Sequence, residues 1–142
     1  MYRDSSNQSG DRSEITVYLD LIKKGWIVNT PSSRDSVYDM VVDVGDRFET
    51  VQVKTMSNNS IARVIDRSGE RVSANGKVRN SLDYAEYGID WLAGVSKDGD
   101  IHYYKLDTYR NIPSKSFSVN KWKQDGFPVN PVPKRHSIKN KN

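Results

Sequence analysis

The sequence predicts an α/β (α+β) domain built on a mixed β-sheet. Three observations carry this: helical spacing of apolar residues over 11–24, a strand alternation over 38–54 broken by Gly45-Asp46, and a second strand pair over 90–106 broken by Lys97-Asp98-Gly99-Asp100. A length of 142 residues suits one such domain. With 35% hydrophobic and 28% charged residues there is apolar material for one compact core, which excludes wholesale disorder.

The elements follow in chain order. Residues 1–10 are polar and read as a flexible N-terminus. Asp11-Arg12-Ser13-Glu14 has the spacing of a capping box, so a helix is predicted from Asp11, and Lys23-Lys24-Gly25 is its stop signal. Residues 38–44 and 48–54 form the first hairpin, with Gly45-Asp46 as its turn. Residues 61–72 read as two short strands around Arg67-Ser68-Gly69-Glu70, and residues 81–88 as a short helix. Beyond Ile112 only residues 119–124 hint at helix, and Pro128, Pro131 and Pro133 suggest an extended or disordered end. The expected organisation is therefore a core over 11–112 and a basic, Pro-containing extension over 113–142.

Several function classes are excluded. The chain has no cysteine and only His102 and His136, which removes disulfides, thiol nucleophiles and zinc sites built on thiolates or several histidines. No apolar run is long enough to span a bilayer and the start has no signal-peptide core, so the expected setting is cytoplasmic, with no membrane partner. The net charge of +4 is unevenly spread. Residues 113–142 carry seven basic residues against Asp125 alone, and residues 61–80 carry Arg63, Arg67, Arg71, Lys77 and Arg79 against Asp66 and Glu70. Two basic zones flanking an acidic body fit a polyanionic partner such as nucleic acid, because each cation placed on a phosphate releases counterions. A merely solubilising tail is the plainer reading of the C-terminal zone.

On a helical wheel Ile15, Val17, Tyr18, Leu19, Leu21 and Ile22 share one broad arc, and Glu14 falls inside it. A carboxylate aimed at a core needs a partner, a proton or a metal, although a capping-box glutamate folding back on Asp11 explains the position as well. A two-residue turn at Gly45-Asp46 pairs Val44 with Arg47 and, counting outward, Asp39 with Gln52. Lys54 projects from the same face as Gln52. Asp39, Gln52 and Lys54 then converge, while Lys54 taken alone reads as a surface lysine.

A helix-borne Glu14, Tyr38-Asp39 opening a strand and Val51-Gln52-Val53-Lys54-Thr55 on the next together resemble the PD-(D/E)XK nuclease superfamily. Tyr38-Asp39 stands where Pro-Asp is usual, and Gln52-Val53-Lys54 stands where Glu-x-Lys is usual. With Gly25-Trp26, Ile89-Asp90 and Tyr103-Tyr104, the chain is most similar to the small group I intron homing endonucleases of that superfamily. The resemblance implies a restriction-endonuclease-like core and a site-specific double-strand DNA endonuclease. Its catalytic residues would be Glu14, Asp39, Gln52 and Lys54. Mg²⁺, with Mn²⁺ as a substitute, would be held by Asp39, the Val53 carbonyl and Glu14. Asp39 is a hard oxygen ligand, and Lys54 could position water or neutralise developing phosphorane charge. Gln52 supplies an amide in place of a carboxylate, which weakens metal affinity and leaves a degenerate DNA-binding protein as an alternative, beside a Holliday-junction or repair nuclease of the same fold. Candidate DNA contacts are Ser57, Asn58, Asn59, Arg63, Arg67, Arg71, Asn75, Lys77 and Arg79. One site per chain and two strands to cut imply a homodimer or homotetramer.

Overall fold

The computed structural model describes residues 5–33, 35–62, 64–66, 81–107 and 116–131. Helix α1 spans Ser5–Lys23. It begins well before Asp11, so the capping-box reading of Glu14 does not hold: Asp11 is an interior position, and residues 5–10, which contain no proline, simply continue the helix. The stop signal acts as predicted. Gly25 takes φ 91°, Gly25 N donates to Ile22 O and Trp26 N donates to Leu21 O, the bond pair of a Schellman end.

The strands are β1 (Ile27–Asn29), β2 (Met40–Asp43), β3 (Phe48–Thr55), β4 (Ser60–Ala62), β5 (Val64–Asp66), β6 (Ser81–Asp83), β7 (Trp91–Val95), β8 (Ile101–Lys105) and β9 (Ser116–Ser118). The main sheet has the order β1-β2-β3-β7-β8 and is antiparallel except for the parallel pair β3-β7. Strands β4-β9 and β5-β6 form two small antiparallel pairs. The first hairpin has the register its turn predicts: Met40 faces Val51, Val42 faces Glu49, and Val44 N donates to Arg47 O at 3.0 Å. Gly45 supplies the turn's positive φ of 103°, and the Asp43 carboxylate accepts the Gly45 amide at 2.9 Å.

Alternation along β3 divides the core into two layers. Val51 and Val53 face α1 and bury Val17 and Leu21 with Trp91, Tyr103 and Phe127. The opposite face of the sheet carries Leu92 and Tyr104, packed with Met56, Ile61, Tyr84, Ile89 and Leu106. Strand β7 is covered on both faces, and all five of its residues are buried. Each large apolar side chain so buried contributes roughly 1.5–3 kcal/mol.

Five readings are revised. Among the described residues of α1, Val17, Leu21 and Ser13 are buried, whereas Ile15, Tyr18, Leu19 and Ile22 are exposed, because the helix lies on the sheet along one narrow stripe. Of the strand pair predicted over 61–72, the described residues pair with distant segments, β4 with β9 and β5 with β6, while Arg63 and residues 67–80 lie outside the described residues. The predicted helix over 81–88 is strand β6 followed by a 3₁₀ turn, Tyr84–Tyr87. The helix hinted at over 119–124 is a single turn after β9, in which Trp122 N donates to Ser118 O. Residues 116–131 form a strap rather than a loose end: Phe127 packs 4.6 Å from the Trp91 ring, Trp26 Nε1 donates to Pro128 O, and Asn130 N donates to Lys24 O. Buried aromatic area and satisfied backbone groups hold the strap where its prolines alone suggest extension.

Candidate active site

The site is built where β2 begins. Asp39 N donates to Val51 O at 2.9 Å, and the Asp39 carboxylate accepts the Val53 amide at 2.7 Å. That amide faces β2 but meets the Asp39 side chain instead of a strand carbonyl, so the carboxylate is anchored by the strand it serves. Burial raises the Asp39 pKa, and the Val53 bond and the nearby Lys54 charge pull partly against that rise. The Val53 carbonyl accepts Gln52 Nε2 at 3.3 Å, so Gln52 turns its amide nitrogen toward the carbonyl.

Glu14 reaches this place from α1. The helix is pinned to the end of β3 by a 2.7 Å hydrogen bond between the Ser13 and Thr55 hydroxyls, with Ser13 itself buried. One residue on, Glu14 is half-buried. Its pKa is raised by burial first, then by the charges of Asp39 and Asp11. Two carboxylates thus share a field that disfavours their both being ionised, a situation a divalent cation would relieve. Beside them lies a groove of about 480 Å³ lined by Asp11, Glu14, Ile15, Tyr18, Thr30 and Met40.

Lys54 lies on the sheet face opposite Val53, next to Gly94 across the parallel pair. Its ammonium stands 5.1 Å from the centroid of the Tyr84 ring. Among the described residues the ion pairs are Lys24 with Asp20 and Arg47 with Asp46 and Glu49, so Lys54 lies in the field of Asp39 without closing onto it. The structure therefore brings Glu14, Asp39, Gln52 and Lys54 to one end of β3.

The donor set suits a hard cation. Glu14 and Asp39 offer carboxylate oxygens, and the Val53 carbonyl lies next to Asp39 with one long bond to exchange. Among the described residues no three His, Cys, Asp or Glu side chains converge. Two acidic groups and a carbonyl are hard oxygen donors of the kind a divalent cation that keeps several of its waters accepts.

Of the candidate DNA contacts, Ser57, Asn58 and Asn59 form an exposed hairpin directly after β3. Ser57 and Ser60 exchange two backbone bonds, Asn58 takes a left-handed φ of 56°, and Val119 N braces Asn59 O. Arg63, Arg67, Arg71, Asn75, Lys77 and Arg79 lie outside the described residues. Sequence reasoning did not single out Ser13, Thr55 or Tyr84. Thr55 adjoins the motif and was within reach, whereas Tyr84 comes from a distant segment that no spacing rule connects to Lys54.

Comparison with known proteins bears on the fold. The fold is similar to that of the bacterial homing endonuclease I-Ssp6803I, at 18% identity and a TM-score of 0.64, covering 96% of this chain and 88% of that one. A Holliday junction resolvase from Archaeoglobus fulgidus, Hjc, aligns at 13% identity and a TM-score of 0.48 over 78% of this chain and 84% of that one. No curated protein matches the chain in sequence. The model of the PD-(D/E)XK endonuclease family matches residues 4–119, and with that span covering most of its length, this chain belongs to the PD-(D/E)XK endonuclease family.

Proposed function

We propose that this family member is a Mg²⁺-dependent, site-specific double-strand DNA endonuclease of the homing type, acting inside the cell. The observation that carries the reading is the Asp39 carboxylate anchored on the Val53 amide at the end of β3, with the charge of Lys54 acting on it and its own charge acting on Glu14. Asp39, Glu14 and the Val53 carbonyl would hold the metal, with Mn²⁺ able to replace Mg²⁺. The bound ion supplies Lewis-acid polarisation of the scissile phosphate.

In this reading Asp39, fixed by the Val53 amide, orients the reacting phosphate's surroundings with little loss of side-chain freedom. Lys54 sets a positive charge against the phosphoryl oxygens as negative charge builds there. Water attacks phosphorus, the P–O bond to the leaving sugar oxygen breaks, and that oxygen takes up a proton. Gln52 holds the Val53 carbonyl and brings no charge of its own. The chemistry lies within residues 11–112. The hairpin carrying Ser57 and Asn58 is a DNA-facing element of the proposal, together with Arg63, Arg67, Arg71, Asn75, Lys77 and Arg79, and the basic extension after residue 112 supports the duplex. A homodimer or homotetramer supplies the second site, and the exposed Ile15, Tyr18, Leu19 and Ile22 are apolar surface that such an assembly could cover.

One observation favours a second reading. An amide at Gln52 in place of an acid removes a metal-binding charge, which suits a protein that binds DNA without cutting it. The test is a cleavage assay on plasmids carrying fragments of the source genome, with Mg²⁺ or EDTA, alongside a four-way junction. Discrete Mg²⁺-dependent bands support the proposal. Junction cutting whatever the sequence replaces it with a resolvase, and intact DNA with a salt-sensitive gel shift replaces it with a binding protein.

A further inference from the structure

We propose that Tyr84 is the positioning residue for Lys54, a bracket that keeps the ammonium over an aromatic face and off Asp39. This rests on the nuclease reading of Lys54, but its first test does not require cleavage. Tyr84 opens the 3₁₀ turn Tyr84–Tyr87, and only 2% of its surface is exposed. It belongs to the buried layer that also holds Met56, Ile61, Ile89, Leu92, Tyr104 and Leu106, and a ring so buried in a close-packed layer has little room to swing. The Lys54 ammonium lies 5.1 Å from its centroid, inside the range in which a cation is attracted by the ring's quadrupole.

The geometry matters because Lys54 has a competing partner. Asp39 lies close enough for the lysine charge to lower its pKa, and a flexible four-carbon chain on a half-buried strand would ordinarily close such a gap into an ion pair. A lysine locked onto Asp39 would cancel the charge meant for the phosphate and occupy the carboxylate's metal-binding oxygen. Among the described residues no such pair forms within ion-pair distance. The ring offers attraction without a counter-charge, so the ammonium stays held in place and uncompensated. The 3₁₀ turn is in turn fixed to β3: Thr50 Oγ1 donates to Gly88 O at 3.0 Å, Ile89 N donates to Tyr84 O, and the Asp90 carboxylate accepts the Thr50 amide. Ring and lysine are therefore referenced to the same strand.

The first test is NMR on the wild-type, metal-free protein. Lys54 ε-methylene protons lying over a ring face should show an upfield ring-current shift relative to other lysines, assigned by comparison with Lys54→Ala. The shift should persist in Tyr84→Phe and vanish in Tyr84→Leu. An unshifted resonance in the wild type overturns the proposal whatever the variants do, and whether or not the protein proves to be a nuclease. In single-turnover cleavage, Tyr84→Phe should stay within about threefold of wild type and Tyr84→Leu should lose about tenfold, with DNA affinity in EDTA unchanged. In a Lys54→Ala background the Tyr84→Leu change should add nothing further. A Tyr84→Leu protein that melts as wild type does and cuts at the wild-type rate refutes the bracket, as does a loss of the same size in the Lys54→Ala background.

Discussion

Gly94→Ala probes how the second core layer is seated against the sheet beside the site. Gly94 pairs with Lys54 across β3-β7. A Cβ there would stand 2.6 Å from Ile61 Cγ1, nearer still to Ile61 Cδ1, and 3.2 Å from Met56 Cγ. Ile61 is fully buried and cannot turn its side chain to solvent, so either β4 shifts or the sheet gives. Overpacking of this kind costs about 1–3 kcal/mol. For a domain of this size that lowers Tm by roughly 3–10 °C. Ile61→Val alone should cost about 0.5–1.5 kcal/mol. It removes the methyl group that collides first, so the double variant should lose less than the sum of the single changes. Denaturant melts of the four proteins give the coupling directly. Additivity within about 0.5 kcal/mol, or a Gly94→Ala protein as stable as wild type, refutes the packing argument. Since β4 continues from the 57–60 hairpin, the single variant should also cut more slowly than its stability alone explains.

Three further outcomes follow from the geometry. Both site carboxyls have raised pKa values, so each gives stability that is complete below its unfolded-state pKa and lost as pH rises through the folded-state one. In EDTA, wild type minus Asp39→Asn stability should fall across the window just above the ordinary carboxylate range; a flat difference curve contradicts the burial that raises the Asp39 pKa. Phe127→Ala should cost about 3–5 kcal/mol and roughly 10–15 °C in calorimetry, because Phe127 packs against Trp91, Tyr103 and Trp26; a loss under 1 kcal/mol shows that the strap is ornamental. Gln52→Glu adds an acidic group beside Asp39 and the Val53 carbonyl and should bind Ca²⁺ or Mg²⁺ several-fold more tightly by titration calorimetry, with weaker binding counting against that donor set.

The parts of this molecule legible in the sequence are those dictated locally. A two-residue turn fixed the β2-β3 register because side chains alternate with a period of two and one slip would reverse every face. Gly25 ended α1 because few residues other than glycine accept its φ of 91°. Asp39, Gln52 and Lys54 were readable together for the same reason: a single hairpin brings them together. What stayed hidden depends on distant partners. Helix α1 starts before Asp11 and meets Thr55 of β3 through Ser9 and Ser13, and nothing in residues 5–10 announces that. Strands β5 and β6 are three residues each and are defined by one another, so residues 81–83 read as part of a helix on their own. The apolar arc of α1 could not say which half of it faced the sheet. The prolines after residue 127 masked a strap whose hold comes from Phe127 and from backbone bonds to Tyr103 and Lys24.

The most direct test of the central claim, that Asp39 and Lys54 form the core of a metal-dependent phosphodiester-cleaving centre, is single-turnover cleavage of a mapped target across a Mg²⁺ titration, using wild type, Asp39→Asn and Lys54→Ala. Asparagine can still accept the Val53 amide, so fold and DNA affinity should survive while cleavage falls by at least a hundredfold, on the order of 2.7 kcal/mol of transition-state stabilisation. Lys54→Ala should lose a comparable amount without a change in the Mg²⁺ midpoint. Cleavage by Asp39→Asn at the wild-type rate and the wild-type Mg²⁺ midpoint would contradict the account and move the chemistry elsewhere on the chain.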